Sequence, residues 1–296
     1  MSTEAMTSGP NGQAMLRVAV PNKGALSDAA HDILSEAGYR RRRDPKQLRL
    51  VDEANGVELF FLRPRDIAVY VGSGTLHVGI TGRDLMIDSG APAQELLALG
   101  FARSTFRFAA PVDSGVADTA DLAGRRIAAA YPGLVRSWLD EQGLDATVVG
   151  LDGAVESAVS LGIADVIADV VETGTTLRQA GLQVFGEPLL RSEAVLVVPE
   201  GGTTHPGVEV LARRLTGVIT ARQYVLIDYD VRNDLVEAAA AVTPGLESPT
   251  VSPLRDSGWS AVRAMVPRAD TNRVMDELWE VGARAILVTE IHACRL

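Results

Sequence analysis

The stretch from Glu156 to Leu177, ESAVSLGIADVIADVVETGTTL, constrains the fold most, because it reads as a helix, a buried strand and an anion cradle in succession. Residues 156–161 place Ala158, Val159 and Leu161 on one side of a short helix that Gly162 ends. Residues 164–171 are β-branched and apolar apart from Asp165 and Asp169, the composition of a strand covered on both faces. Thr173-Gly174-Thr175-Thr176 follows, and Leu177 opens the next helix. A strand feeding a glycine-centred turn and a helix predicts an α/β fold, with the turn at the edge where such folds bind ligands.

That turn aims several backbone N–H groups at one point, where unpaired donors and the helix dipole attract phosphate. Thr173, Thr175 and Thr176 add hydroxyls, and Gly174 allows close approach of the backbone. Asp169, near the strand end, is placed to accept hydrogen bonds from ribose hydroxyls. Taken alone, TGxT is equally an ordinary strand-to-helix connection with a threonine cap.

Composition narrows the class. The chain of 296 residues is long enough for two or three domains with substantial cores. Its single cysteine, Cys294, lacks both a disulfide partner and zinc-type spacing. No apolar run approaches the roughly 20 residues of a membrane span, and residues 1–14 lack a signal peptide's features. Those residues read as a disordered tail, and the expected compartment is the cytoplasm. A net charge of −10 argues against nucleic-acid binding, so any anionic ligand must meet a few focused cations. The one basic run, Arg40 to Arg43, reads as a solvated rim or as substrate steering.

Along the chain, candidate ligand residues fall at predicted strand exits. The strand LRVAV (16–20) ends in Pro21-Asn22-Lys23-Gly24, which puts Lys23 at the crevice edge of the sheet. Residues 56–63 form a strand closed by Arg63-Pro64-Arg65, and residues 77–81 one followed by Gly82-Arg83-Asp84. Arg63 or Arg83 offers a planar guanidinium fork to an anionic ligand and Asp84 an acceptor, though at these positions each could equally cap a helix. Tyr131 leaves the strand at 126–130, where its ring can stack on a flat ligand ring or simply pack at a helix start. His77 reads as structural.

From Tyr224 the order becomes β-α-β-β-α-β: strands at 224–231, 250–253, 259–266 and 285–291, with helices at 233–242 and 271–281. That is the ferredoxin-like arrangement. The predicted organisation is one lobe from residues 15–105 with 199–223, a second from 106–198, and a terminal domain from 224–296.

Glu156, Gly162, Ala164, Ile167, Asp169, Val170, Thr173, Gly174, Thr176 and Leu177, in that order and spacing, resemble the signature of the ATP phosphoribosyltransferase family. The PNKG turn, Tyr131-Pro132 and the PGLESPT loop (244–250) resemble the same family, in its long form, so the likeness runs from Met15 to the C-terminus. The resemblance implies a two-lobed, periplasmic-binding-protein-like α/β core with a ferredoxin-like (ACT-like) α+β regulatory domain. It implies ATP and phosphoribosyl pyrophosphate as substrates, joined through adenine N1 in the first step of histidine biosynthesis. Lys23, Arg63 and Asp169 are the implied catalytic residues; Arg83, Asp84, Tyr131, Val170 and the 173–176 turn are the implied substrate contacts. Magnesium is the implied cofactor, carried by substrate oxygens and water rather than by protein ligands alone. Histidine is the implied feedback inhibitor, with AMP a further effector and homodimers and hexamers the implied assemblies.

For the sensor, Asp230 offers a carboxylate to the ligand's cationic groups, and Ser248 and Thr250 offer hydroxyls. Leu246, Met265 and Ala285 offer an apolar wall. A purely structural terminal domain is the alternative. Two rivals concern the core: a solute-binding protein of the same architecture, which leaves the TGTT turn unexplained, and a phosphoribosyltransferase of the commoner fold. The latter usually carries two adjacent acids before TGxT, whereas Asp169 stands between Ala168 and Val170.

Overall fold

A computed structural model describes residues 14–171, 175–256 and 258–295, and the chain divides into two compact units. The first reaches Ala212, apart from residues 36–38, and the second holds the remainder. The first unit opens with β1 (Leu16–Pro21), α1 (Ala25–Glu36), β2 (Arg49–Asp52), β3 (Val57–Leu62), α2 (Pro64–Gly72), β4 (Val78–Gly82), α3 (Arg83–Ser89) and β5 (Ala93–Ala98). It continues with β6 (Ser104–Pro111), β7 (Arg126–Ala129), α4 (Pro132–Gln142), β8 (Thr147–Gly150), α5 (Ser157–Ser160), β9 (Val166–Val170), α6 (Thr175–Gln179) and β10 (Leu182–Ser192). β11 (Ala194–Pro199) follows, and α7 (Gly207–Gln223) carries the chain across the division at Ala212.

These strands make two sheets, ordered β2-β3-β1-β4-β11-β5 and β10-β6-β9-β7-β8. In the first, β3, β1 and β4 run parallel; β11 is antiparallel to β4, and β5 is antiparallel to β11. The second repeats the plan: β8, β7 and β9 run parallel, β6 is antiparallel to β9, and β10 is antiparallel to β6. Each lobe therefore receives one antiparallel strand from the other, the two-lobed periplasmic-binding-protein arrangement. β11 belongs to the first sheet, although the sequence boundary at 198 assigns Ala194–Val198 to the second lobe. The chain crosses back at Ser192–Glu193, where the pairing partner changes from β6 to β4.

The organising strand is buried as its composition predicts. Val166 and Ala168 of β9 join Phe106, Phe108, Leu134 and Leu139 on one face of the second sheet. Ile167 joins Ala109, Ala128, Ala158 and Leu177 on the other. Two strands escape the sequence pattern. β2 is short, and β5 (AQELLA) has no β-branched residue and lies mostly exposed at the sheet edge.

Two histidines of this unit titrate with the fold. The His31 ring stacks on Phe61 at 5.3 Å, and His77 Nδ1 accepts from the Arg17 N–H at 2.9 Å beside the His205 ring, 4.6 Å away. Burial pushes both pKa values below the ordinary value, and for His77 the charges of His205 and Arg17 add to it. The unfolded chain therefore binds these protons first, so stability is lost as pH falls through about 6.5. Urea midpoints are expected to drop between pH 7.5 and 5.5, and His77→Asn, which keeps an acceptor, to flatten that slope. Equal slopes for the two proteins would refute the role of His77.

The second unit contains β12 (Tyr224–Arg232), α8 (Val236–Val242), β13 (Thr250–Pro253), β14 (Trp259–Pro267), α9 (Thr271–Val281) and β15 (Arg284–Glu290). Its antiparallel sheet, ordered β13-β14-β12-β15, is ferredoxin-like. Val225, Ile227, Tyr229 and Val231 face Ala239 of α8 and Val274 and Leu278 of α9. The alternate residues Leu226, Asp228 and Asp230, with Ala261, Arg263 and Met265, occupy the opposite face. No helix among the described residues is long and apolar enough to cross a membrane.

Candidate active site

The turns leaving the parallel strands of both lobes converge on one cleft of about 440 Å³. Lys23, Pro64 and Asp84 line it from the first lobe, Ser104 from the crossover, and Tyr131 and Val170 from the second lobe. Four residues expected to touch substrates, Lys23, Asp84, Tyr131 and Val170, thus share one wall-to-wall space.

Lys23 is exposed there, and its ammonium has no partner among the described residues. Its turn is held from behind. Arg42 donates to the Asn22 carbonyl at 3.1 Å, and its guanidinium lies 4.5 Å from the Phe61 ring centroid. That gives one member of the basic run a structural task; Arg41 pairs with Asp32 at 3.0 Å. Arg63 is the exposed N-cap of α2, with no side-chain partner among the described residues. It does not line the cleft, though Pro64 beside it does.

Arg83 is engaged elsewhere. Nε and Nη2 bond the two Glu95 oxygens at 2.7 and 2.9 Å, Nη1 donates to the Arg191 carbonyl at 3.1 Å, and Glu193 lies 3.5 Å away. A guanidinium so paired ties α3 to β5 and the return crossover. It has no fork left for pyrophosphate, contrary to the expectation from its position.

Asp84 keeps its place in the cleft. Its N–H donates to Ser192 Oγ at 3.0 Å, and Oδ1 accepts from Leu85 N–H at 2.9 Å. Burial raises its pKa, and the Asp88 charge adds to the rise. A Cβ at Gly82 would stand 2.1 Å from Asp84 Oδ1, so a larger residue there must displace the carboxylate. The Tyr131 ring packs edge-on against Phe106, centroids 5.0 Å apart, with the Arg65 guanidinium 5.1 Å from its centre. Burial raises its pKa first, followed by the Asp84 charge; Asp88 and Asp169 also contribute. The charges of three carboxylates thus oppose ionisation of this phenol.

Asp169, at the end of β9, is half-buried. Its Oδ1 accepts from the Val170 N–H at 2.8 Å, and burial, then the charge of Glu156, lift its pKa. Thr175 and Thr176 stand exposed at the start of α6, with Arg178 Nη2 3.3 Å from Thr175 Oγ1. Thr173 and Gly174 lie outside the described residues. Two further residues matter here: Arg65, the second cation of the Arg63-Pro64-Arg65 strand end, and Asp88, which no sequence pattern marks. Their 2.8 Å ion pair joins α2 to α3 beside Tyr131, a long-range pairing that no local motif announces.

In the terminal unit, register places Asp230, Thr250 and Met265 on the open sheet face. Asp230 has no ion-pair partner among the described residues, whereas Asp228 bonds Arg263 at 2.6 Å. Ala285, at φ +50°, occupies the β15 bulge opposite the end of β12. Leu246 and Ser248 are exposed in the loop before β13. Met265 pairs with Leu226, four positions from Asp230 and so about 13 Å along the strand.

Among the described residues, no group of three or more His, Cys, Asp or Glu is arranged to hold a metal ion. The Asp84 and Asp169 carboxylates are hard oxygen donors that suit magnesium as single ligands beside phosphates and water.

Comparison with known proteins agrees with the geometry. A family model described as ATP phosphoribosyltransferase matches residues 63–217, and one described as HisG, C-terminal domain, matches residues 221–293. The chain is 66% identical over 285 residues to the ATP phosphoribosyltransferase of Pseudarthrobacter chlorophenolicus, covering 95% of this chain and all of that one. Identity to the Streptomyces coelicolor enzyme of the same name is 60% over 286 residues, with the same coverage. The fold is similar to that of the ATP phosphoribosyl transferase (HisG:HisZ) complex from Thermotoga maritima, with TM-score 0.57, 24% identity, and coverage of 68% of this chain and 97% of that one. With both its core and its terminal domain matched, the chain belongs to the ATP phosphoribosyltransferase family.

Proposed function

We propose that the chain transfers the phosphoribosyl group of phosphoribosyl pyrophosphate to N1 of ATP, opening histidine biosynthesis and releasing pyrophosphate. The convergence of Lys23, Asp84, Tyr131 and Val170 on one cleft carries the reading, because it meets the needs of that reaction from both lobes. Adenine N1 is already a free lone pair, so no general base or covalent nucleophile is required. The chain's work is positioning and electrostatics. Tyr131 stands against the base and Asp84 accepts from its donors. Asp169 and the Thr173–Thr176 turn hold the ribose and 5-phosphate. Lys23, with Arg63 at the rim, meets the charge that grows on the departing pyrophosphate. Bound magnesium, held by phosphate oxygens with at most Asp84 or Asp169, would supply further neutralisation of that charge. The test is release of pyrophosphate dependent on both ATP and magnesium. A purified protein that binds ATP yet releases none would sink the assignment.

The terminal unit we read as a histidine sensor, with AMP as a second effector and dimers and hexamers as the assemblies through which it acts. Asp230, with no ion-pair partner among the described residues, supports this, since such a carboxylate suits an ammonium or imidazolium ligand. Asp230→Ala is expected to keep full turnover without histidine and to weaken inhibition about tenfold or more. Unchanged inhibition would remove Asp230 from the sensor. The cytoplasm is the compartment this pathway favours.

A further inference from the structure

We infer that Asp88 is a positioning residue for the nucleobase end of the cleft, reaching from one lobe to the other to set Tyr131 and Arg65. The inference rests on the reading above, in which Tyr131 stands against adenine. Asp88 lies on α3 of the first lobe, and its side chain is 7% exposed. Oδ1 accepts from the backbone N–H groups of Gly133 and Leu134, at 2.8 and 3.3 Å, in the first turn of α4 in the second lobe. The other oxygen, Oδ2, accepts from Arg65 Nη1 at 2.8 Å. The same guanidinium stands 5.1 Å from the centre of the Tyr131 ring. A single carboxylate thus fixes the backbone just after Tyr131 and the cation over its ring.

Helix α4 cannot do this for itself. Its N-cap residue is Tyr131, which makes no side-chain cap, and Pro132 has no N–H to satisfy. The first donors needing an acceptor are therefore those of Gly133 and Leu134, and the first lobe supplies it. Helix α3 is itself anchored: the Arg83 N–H donates to the Glu193 carbonyl at 3.0 Å, and the Asp84 N–H to Ser192 Oγ at 3.0 Å. Asp84 and Asp88 are four residues apart, on one face of that helix. The element that presents Asp84 to the cleft therefore also sets the opposite wall.

Asp88→Ala is expected to raise the KM for ATP about tenfold, leaving the KM for phosphoribosyl pyrophosphate within twofold. Asp88→Asn keeps the acceptor for α4 but loses the charge facing Arg65, and a rise of about threefold is expected. In a Tyr131→Ala background, Asp88→Ala is expected to add less than twofold. A residue serving only stability would raise both KM values together and would act undiminished without the Tyr131 ring. Either result overturns the inference, as does an ATP KM unchanged in both Asp88 variants. Should Asp88→Ala fail to fold, Asp88→Asn with and without Tyr131→Ala decides by the same criteria. A wild-type protein that releases no pyrophosphate overturns the underlying reading instead, which keeps the two failures apart.

Discussion

Asp169→Asn is expected to lower kcat/KM for phosphoribosyl pyrophosphate about a hundredfold, with the KM for ATP changed by no more than about threefold. The substitution preserves shape, and Oδ1 can still accept from the Val170 N–H, so β9 should remain in place. What is lost is the charge on the second oxygen, which is left to accept from the ribose. Hydrogen bonds to a charged acceptor contribute about 1.5–3 kcal/mol each, and a loss near 3 kcal/mol is about a hundredfold. Burial and Glu156 hold the Asp169 pKa above the ordinary carboxylate value, so the ionised acceptor forms only as pH rises through that raised value. The kcat/KM profile should therefore carry an acid limb that the Asn variant lacks. Comparable kcat/KM values in the two proteins, or an acid limb surviving in the variant, would remove Asp169 from the ribose site.

The legible part of this molecule is the part written locally. Alternating or continuous apolar runs mark β1, β7, β9 and β12, and Lys23 after β1, Tyr131 after β7 and the Asp169–Val170 pair closing β9 occupy strand exits because strands end where the pattern ends. Position relative to a strand is not the same as orientation, and Arg83 shows the difference. By pattern it matches Arg63, since both end a strand and open a helix. The distinction lies in Glu95, on an edge strand with no strand-like composition, and in Glu193, brought back by the crossover. Neither partner is visible from the Gly82-Arg83-Asp84 turn. The Asp88 contacts are hidden for the same reason, because they depend on how the two lobes meet. The repeated sheet plan of the lobes is likewise a property of strand order, and the two halves share no obvious sequence. In the terminal unit, the alternation of β12 and β14 predicts which residues share a face. Only the register shows that Met265 sits opposite Leu226, far along the strand from Asp230.

The contact between α3 and α4 also sets a steric demand at Gly133. Its environment is unlike that of most glycines in the chain, because its need for glycine comes from a neighbour and not from a left-handed backbone. A Cβ built there would stand 2.1 Å from the Asp88 carbonyl oxygen and 2.9 Å from the Asp88 carbonyl carbon. Those atoms are backbone of a helix pinned at its start to Glu193 and Ser192, so no side-chain rotation relieves the clash. Gly133→Ala must push α3 and α4 apart, which lengthens the hydrogen bonds from Gly133 and Leu134 to Asp88. Overpacking a close contact typically costs about 1–3 kcal/mol, and the weakened cap adds about 1 more. A loss of about 3 kcal/mol should lower the Tm by about 6–12 °C in a domain of this size. Gly150→Ala provides the control, since its Cβ would meet only the Pro132 ring, at 3.3 Å, and a shift of a few tenths of an ångström accommodates it. A Gly133→Ala protein that melts within about 2 °C of the Gly150→Ala protein would show that α3 and α4 are not held together as described.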